Sequence, residues 1–99
     1  MKHMEKLAAN NTTDCLWPYI LSIIKEKPCH AYILRKAIRE RFGFTPGTVT
    51  AYRVLYSLRK EGLVSIKRKG RKRVYTITPE GRKALMEAKE YYRKIVSFL

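Results

Sequence analysis

Seven residues in the second half of the chain, Lys67-Arg68-Lys69-Gly70-Arg71-Lys72-Arg73, carry a cation at every position but Gly70. The chemistry open to them is ionic: they can neutralise the phosphates or carboxylates of a polyanion, and they repel one another when none is present. A charge run is most often a solvated face. This one is bracketed by Leu63-Val64-Ser65-Ile66 and Val74-Tyr75-Thr76-Ile77, which are short, apolar and β-branched. A second group lies upstream. Thr48, Thr50, Tyr52, Arg53 and Ser57 offer hydroxyls and a guanidinium, the donor and acceptor types that meet base edges and phosphates.

Other chemistries find little support. Asp14 is the only aspartate, and Glu26, Glu40 and Glu90 are flanked by Lys, Arg or Tyr. No Ser-His-Asp grouping, phosphate-cradling glycine loop or carboxylate pair emerges, so no catalytic residue and no enzyme activity is expected. Cys15, Cys29, His30 and His3 lack any Cys-x-x-Cys spacing, so neither a metal site nor a cofactor is expected. Both cysteines are expected to be buried and reduced, and His30 to stand at the start of a helix.

The elements that must position these groups follow from periodicity. Leu16, Trp17, Ile20, Ile23 and Ile24 make the apolar side of a helix that Pro28 stops near Lys27. A second helix is predicted over 31–42, with Tyr32, Ile33 or Leu34, Ala37, Ile38 and Phe42 at helical spacing and Gly43 just past its end. A turn over 44–48 opens a third helix, capped by Thr45 or by Thr48, with Ala51, Val54, Leu55 and Leu58 inward. The two apolar stretches around Gly70 read as a β-hairpin, with Tyr75 and Ile77 on one face and Val74 and Thr76 on the other. Thr78-Pro79-Glu80 then opens a last helix of about 30 Å. The predicted fold is mainly α with a small β-hairpin, a winged helix-turn-helix with a long C-terminal helix. It is one domain over 1–99: about 1–12 flexible, 13–78 winged helix, 79–99 dimerisation helix.

Composition agrees. At 45% hydrophobic residues the chain is no disordered polycation. Of the net charge of +14, residues 59–73 supply half, with eight cations and one acid, whereas residues 1–30 carry four cations and three acids. The apolar stretch 16–24 is too short for a membrane span, and the first residues lead into Asn and Thr rather than an apolar leader, so a cytoplasmic protein is expected. On the last helix Leu85, Ala88, Tyr92, Ile95 and Leu99 are spaced 3, 4, 3 and 4 apart, a stripe that can pack on its own domain and is expected, on a helix this long, to form the seam of a homodimer.

Three segments together resemble the PadR family of winged-helix transcriptional regulators. They are Pro28-Cys29-His30-Ala31-Tyr32, then Thr50-Ala51-Tyr52-Arg53-Val54-Leu55-Tyr56-Ser57-Leu58 running to Glu61-Gly62-Leu63-Val64, then Tyr75-Thr76-Ile77-Thr78-Pro79-Glu80-Gly81. Leu55, Leu58 and Gly62 fall three, six and ten residues after Tyr52, as in the family. Ala31 and Val49 stand where the family usually has glycine. The expected function is sequence-specific binding of double-stranded DNA as a homodimeric repressor on a palindromic operator. Thr48, Thr50, Tyr52, Arg53 and Ser57 are expected at bases and phosphates, and Lys67, Arg68, Lys69, Arg71, Lys72 and Arg73 at phosphates or the minor groove. The resemblance also allows a planar aromatic effector at the dimer interface, beside Trp17, Tyr19 and the aromatics of the last helix. Two rivals compete: an RNA- or ribosome-associated basic protein, and an interaction module whose charge serves solubility.

Overall fold

The computed structural model describes residues 15–99, in the order α1 (Trp17–Glu26), α2 (Ala31–Phe42), α3 (Thr48–Lys60), β1 (Val64–Lys69), β2 (Lys72–Ile77) and α4 (Pro79–Phe98). The expected flexible segment 1–12, which includes His3, lies outside the described residues, as does Asp14.

Burial selects one stripe from each helix. Ile20, Leu21 and Ile24 of α1, Leu34 and Ile38 of α2, and Leu55 of α3 are fully buried and make the centre of the core with Leu16. Pro18 sits in the first turn of α1, where its missing N–H costs no helix bond. At the end of α2 the chain reverses through Gly43 in the left-handed region (φ 80°), and the N–H of Gly43 donates to the Arg39 carbonyl. Of the two residues offered for the inner face of α2, Leu34 is the buried one. Tyr32, expected beside it, points outward at 67% exposure, because the two-residue step from it to Leu34 turns it to the opposite side of the helix.

The third helix begins differently from either expectation. Gly47 is the N-cap, no side chain caps the helix, and Thr48 is its first residue. The turn before it is held from outside: Pro46 is buried, and Arg35 Nε of α2 donates to the Pro46 carbonyl at 3.0 Å. That bond fixes α3 relative to α2, so a threonine cap is not required to set the start. Tyr19 packs edge-on to Phe42 and Phe44, with centroids at 4.8 and 5.3 Å, closing the same corner.

The hairpin is longer than its apolar residues alone suggest. The antiparallel ladder runs from Val64↔Ile77 out to Arg68↔Arg73 and Lys69↔Lys72, leaving only Gly70 and Arg71 in the turn. Backbone pairing continues past the last apolar side chain, since ladder bonds do not depend on what the side chains are. Gly70 has φ 64° and Arg71 is not in the positive region, the sign pattern of a hairpin turn with glycine at its first central position. At the base, Cys29 and Tyr75 exchange both backbone bonds (3.2 and 2.9 Å), so the α1–α2 connection forms a short third rung beside β2.

Thr78 joins the hairpin to α4. Its hydroxyl donates to the Gly62 carbonyl at 2.6 Å and accepts from the Gly81 N–H at 3.0 Å, while its own N–H donates to the Leu63 carbonyl at 3.1 Å. Leu85 is 4% exposed and belongs to the domain's own core. From residue 89 onward every residue of α4 is exposed, so the helix runs on past the body it packs against. Cys29 is buried, and burial pushes its thiol pKa up. Cys15, expected in the core, is exposed, because it precedes α1 at the edge of the domain. No described helix is long and apolar enough to cross a membrane.

Candidate nucleic-acid interface

The side chains on α3 sort by angle. Ala51, Leu55 and Leu58 face the core, so at about 100° per residue the opposite line runs through Val49, Arg53, Tyr56 and Lys60. Val49 and Tyr56 are the most outward of its large apolar side chains, at 70% and 68% exposure. Neither was among the residues expected to make contact, although helical spacing from Ala51 and Leu55 places them there. Thr48, Tyr52, Arg53 and Ser57 are exposed as well, and Thr50 is half-buried.

Tyr52 and Arg53 serve different flanks. Tyr52 borders a polar cleft of about 320 Å³ whose other walls are His30 and Tyr32 at the start of α2 and Arg71, Lys72, Arg73 and Tyr75 of the hairpin. Arg53 and Ser57 border a second cleft of about 510 Å³ on the other side, with Trp17, Glu61 and Ala84. The expected contact residues therefore do not converge on one pocket. They spread along an edge with α3 at its centre and the hairpin on one flank.

All six hairpin cations are exposed. Arg68 lies directly across from Arg73, and Lys69 across from Lys72. Like charges placed opposite each other in a ladder are destabilising, and the adjacent rungs compound the repulsion. Neither of the described salt bridges, Arg41–Glu26 and Arg93–Glu90, involves a hairpin residue. Arg41 holds the Glu26 carboxyl below its usual range, tying the ends of α1 and α2 together away from this edge. A further polar cleft of about 380 Å³ involves Tyr32, Arg35, Lys36, Arg39 and Thr45, so the outer side of α2 is basic too. Those α2 cations were not among the expected site residues; their interleaving with Leu34 and Ile38 is the signal that marks them.

Two helices joined by a fixed turn, the second presenting polar residues outward and followed by a basic ribbon, define a winged-helix DNA-binding fold. The chain belongs to the PadR-like family of transcriptional regulators, whose family model matches residues 20–87. It is similar in structure to a PadR family transcription regulator from hypervirulent Clostridium difficile R20291 (TM-score 0.77, 26% identity, 83% of this chain and 91% of that one). Fold likeness extends to a PadR family regulator from Eggerthella lenta DSM 2243 (TM-score 0.84, 20% identity, 97% and 88%). It extends also to a winged-helix DNA-binding protein from STIV (TM-score 0.75, 24% identity, 83% and 91%). No curated protein matches the chain in sequence.

The remaining face lies on α4. An apolar groove of about 550 Å³ runs between α1 and α4, bordered by Cys15, Trp17, Ala88, Tyr91, Tyr92 and Ile95. Tyr19, expected here with Trp17, does not border it, since its ring is taken up by Phe42 and Phe44. Burial against this groove raises the pKa of the Tyr92 phenol. Of the residues expected in the seam, Ala88 is half-buried, Tyr92 and Ile95 are exposed at this groove, and Leu99 is free of the body.

Proposed function

We propose that the protein is a sequence-specific repressor that binds double-stranded DNA as a homodimer on a palindromic operator, acting by occupancy rather than by catalysis. The observation that carries this reading is the paired like charges of the hairpin, Arg68 against Arg73 and Lys69 against Lys72. Such a ladder is unfavourable alone and becomes favourable along a phosphate backbone, where each neutralised phosphate releases counterions. Thr48, Thr50, Tyr52, Arg53 and Ser57 enter the major groove with α3, and Lys67, Arg68, Lys69, Arg71, Lys72 and Arg73 hold phosphates or probe the minor groove.

Arg53→Ala is the discriminating substitution for sequence reading. The side chain is exposed on the outward line of α3, so its loss leaves the fold intact. It is expected to cost about 1–3 kcal/mol on the operator and to relax selectivity at a base position. Equal weakening on random duplex would demote Arg53 to a phosphate contact. Preference for structured RNA over duplex DNA at matched salt would overturn the DNA reading itself.

Dimerisation follows from the part of α4 that outruns the body. Leu85 anchors the helix on its own domain, and Ala88, Tyr92, Ile95 and Leu99 continue the apolar line toward a second copy. A two-fold pair would set two α3 helices about 34 Å apart, one turn of DNA. The groove beside Trp17, Tyr91 and Tyr92 suits a planar aromatic effector at that junction. Sedimentation is expected to give the dimer mass at micromolar protein, and Trp17 emission to respond to planar aromatics. A monomer would remove the palindrome, and an unresponsive tryptophan the effector.

A further inference from the structure

The cleft between the wing and the start of α2 brings together three fixed cations, three phenols and one imidazole, with no carboxylate among its lining residues. Three elements distant in sequence supply them: His30 and Tyr32 from the start of α2, Tyr52 from α3, and Arg71, Lys72, Arg73 and Tyr75 from the wing. At about 320 Å³ the cleft has the share of roughly ten waters, room for a phosphate and part of its hydration. His30 occupies the N-cap position of α2 but makes no capping bond with its side chain. Its ring lies nearly parallel to that of Tyr32 (17°, centroids 6.4 Å apart), and both rings line the cleft.

We infer that this cleft seats one DNA phosphodiester against Arg71, Arg73 and a protonated His30, so that each protomer takes up a proton when it binds DNA. The inference rests on the DNA-binding reading above and adds to it a site and a proton. No covalent bond changes. A proton passes from solvent to an imidazole nitrogen, and the ring then donates to a phosphate oxygen. Imidazole is the one side chain whose ordinary titration lies between pH 5 and 8, and a neighbouring anion favours its charged form. The groups that face it are Tyr32 on its own element, Tyr52 from α3, and Arg71, Lys72, Arg73 and Tyr75 from the wing. Phenols, ammonium groups and guanidinium groups ordinarily titrate well above that interval, which leaves the imidazole as the side-chain type in the cleft suited to respond.

The sign follows from linkage. A group that binds its proton more tightly in the complex contributes affinity that is complete at low pH and is lost as pH rises through its titration in the complex. Anisotropy of a labelled mixed-sequence duplex, read from about pH 6 to about pH 8 at constant salt, measures this. Mixed sequence suffices because a phosphate contact is independent of bases. Wild-type affinity is expected to rise by up to about tenfold per pH unit of acidification for each protomer. His30→Asn, which suits an N-cap, is expected to flatten the profile and to match wild type near pH 8. His30→Lys, a fixed cation, is expected to be flat and tight throughout. His3 is present in all three proteins, so its contribution cancels.

The inference is overturned if wild type is flat, if His30→Asn keeps the wild-type slope, or if His30→Lys binds no better than His30→Asn near pH 8. Circular dichroism of each variant separates these results from unfolding. A folded wild type that binds no duplex at any pH overturns the DNA reading and this one with it. Salt-sensitive binding without pH dependence leaves the DNA reading standing and removes only the proton.

Discussion

Exchanging Lys67, Arg68, Lys69, Arg71, Lys72 and Arg73 together for glutamine is expected to remove most of the DNA affinity while leaving the domain folded. Each phosphate contact contributes about 0.9 to the slope of log K against log salt, so six lost contacts lower it by about 5 per protomer, and affinity at physiological salt by about a thousandfold or more. Stability moves little or rises. The six side chains are exposed, and the ladder sets Arg68 against Arg73 and Lys69 against Lys72, so their removal relieves repulsion. Exposed substitutions away from caps and cores usually stay within about 0.5 kcal/mol. A salt series read by anisotropy, beside a thermal melt, tests both halves. A slope reduced by less than about one per protomer would mean the wing does not touch the backbone.

Gly81→Ala is expected to be the most damaging single methyl in the domain. A Cβ there would overlap the Leu63 carbonyl oxygen and stand 2.8 Å from Ile77 Cγ1 and 3.1 Å from the Leu63 carbonyl carbon. Two of those three atoms are backbone, so no rotamer change relieves the clash. The same carbonyl accepts the Thr78 N–H, and the Gly81 N–H is held by the Thr78 hydroxyl, so moving α4 away breaks the joint. Overpacking costs about 1–3 kcal/mol where side chains can yield, and here at least ~3 kcal/mol is expected. For a domain of this size that lowers Tm by roughly 12–24 °C. Gly47→Ala supplies the contrast. Its Cβ meets only Thr50 Oγ1 at an ordinary 3.8 Å, and the expected cost is under about 1 kcal/mol. Equal melting temperatures for the two variants would mean that α4 does not approach the wing base closely.

What could be read from the chain alone was whatever a single element encodes. The limits of α2 follow from its apolar spacing and from Gly43, and the opening of α4 from Thr78-Pro79, whose hydroxyl does cap it. What could not be read was decided between elements. Gly47 starts α3 because Arg35 holds the preceding carbonyl from another helix, a bond with no local signature. Phe42 lies one turn past Ile38 at the edge of the buried stripe, whereas Tyr32, two residues before Leu34, lies on the opposite side of the helix and faces outward. Tyr19 left the Trp17 groove for a corner built by two phenylalanines that periodicity within α1 does not reveal. His30 is the extreme case. Its relation to Arg71 and Arg73 exists only because Cys29 pairs with Tyr75 and brings the start of α2 beside β2.

The triple attachment of Thr78 has a mechanical consequence. With Gly62, Leu63 and Gly81 pinned around one residue, the ribbon and the terminal helix have no hinge between them. They form a bent arm, one limb the exposed end of α4 and the other a lever of about 20 Å, six residues at the usual strand rise. In the proposed dimer, a small rolling of one α4 against its twin would reappear, magnified, as travel of the wing tip along the DNA. Whatever settles in the groove beside Trp17 would steer the arm from its short end.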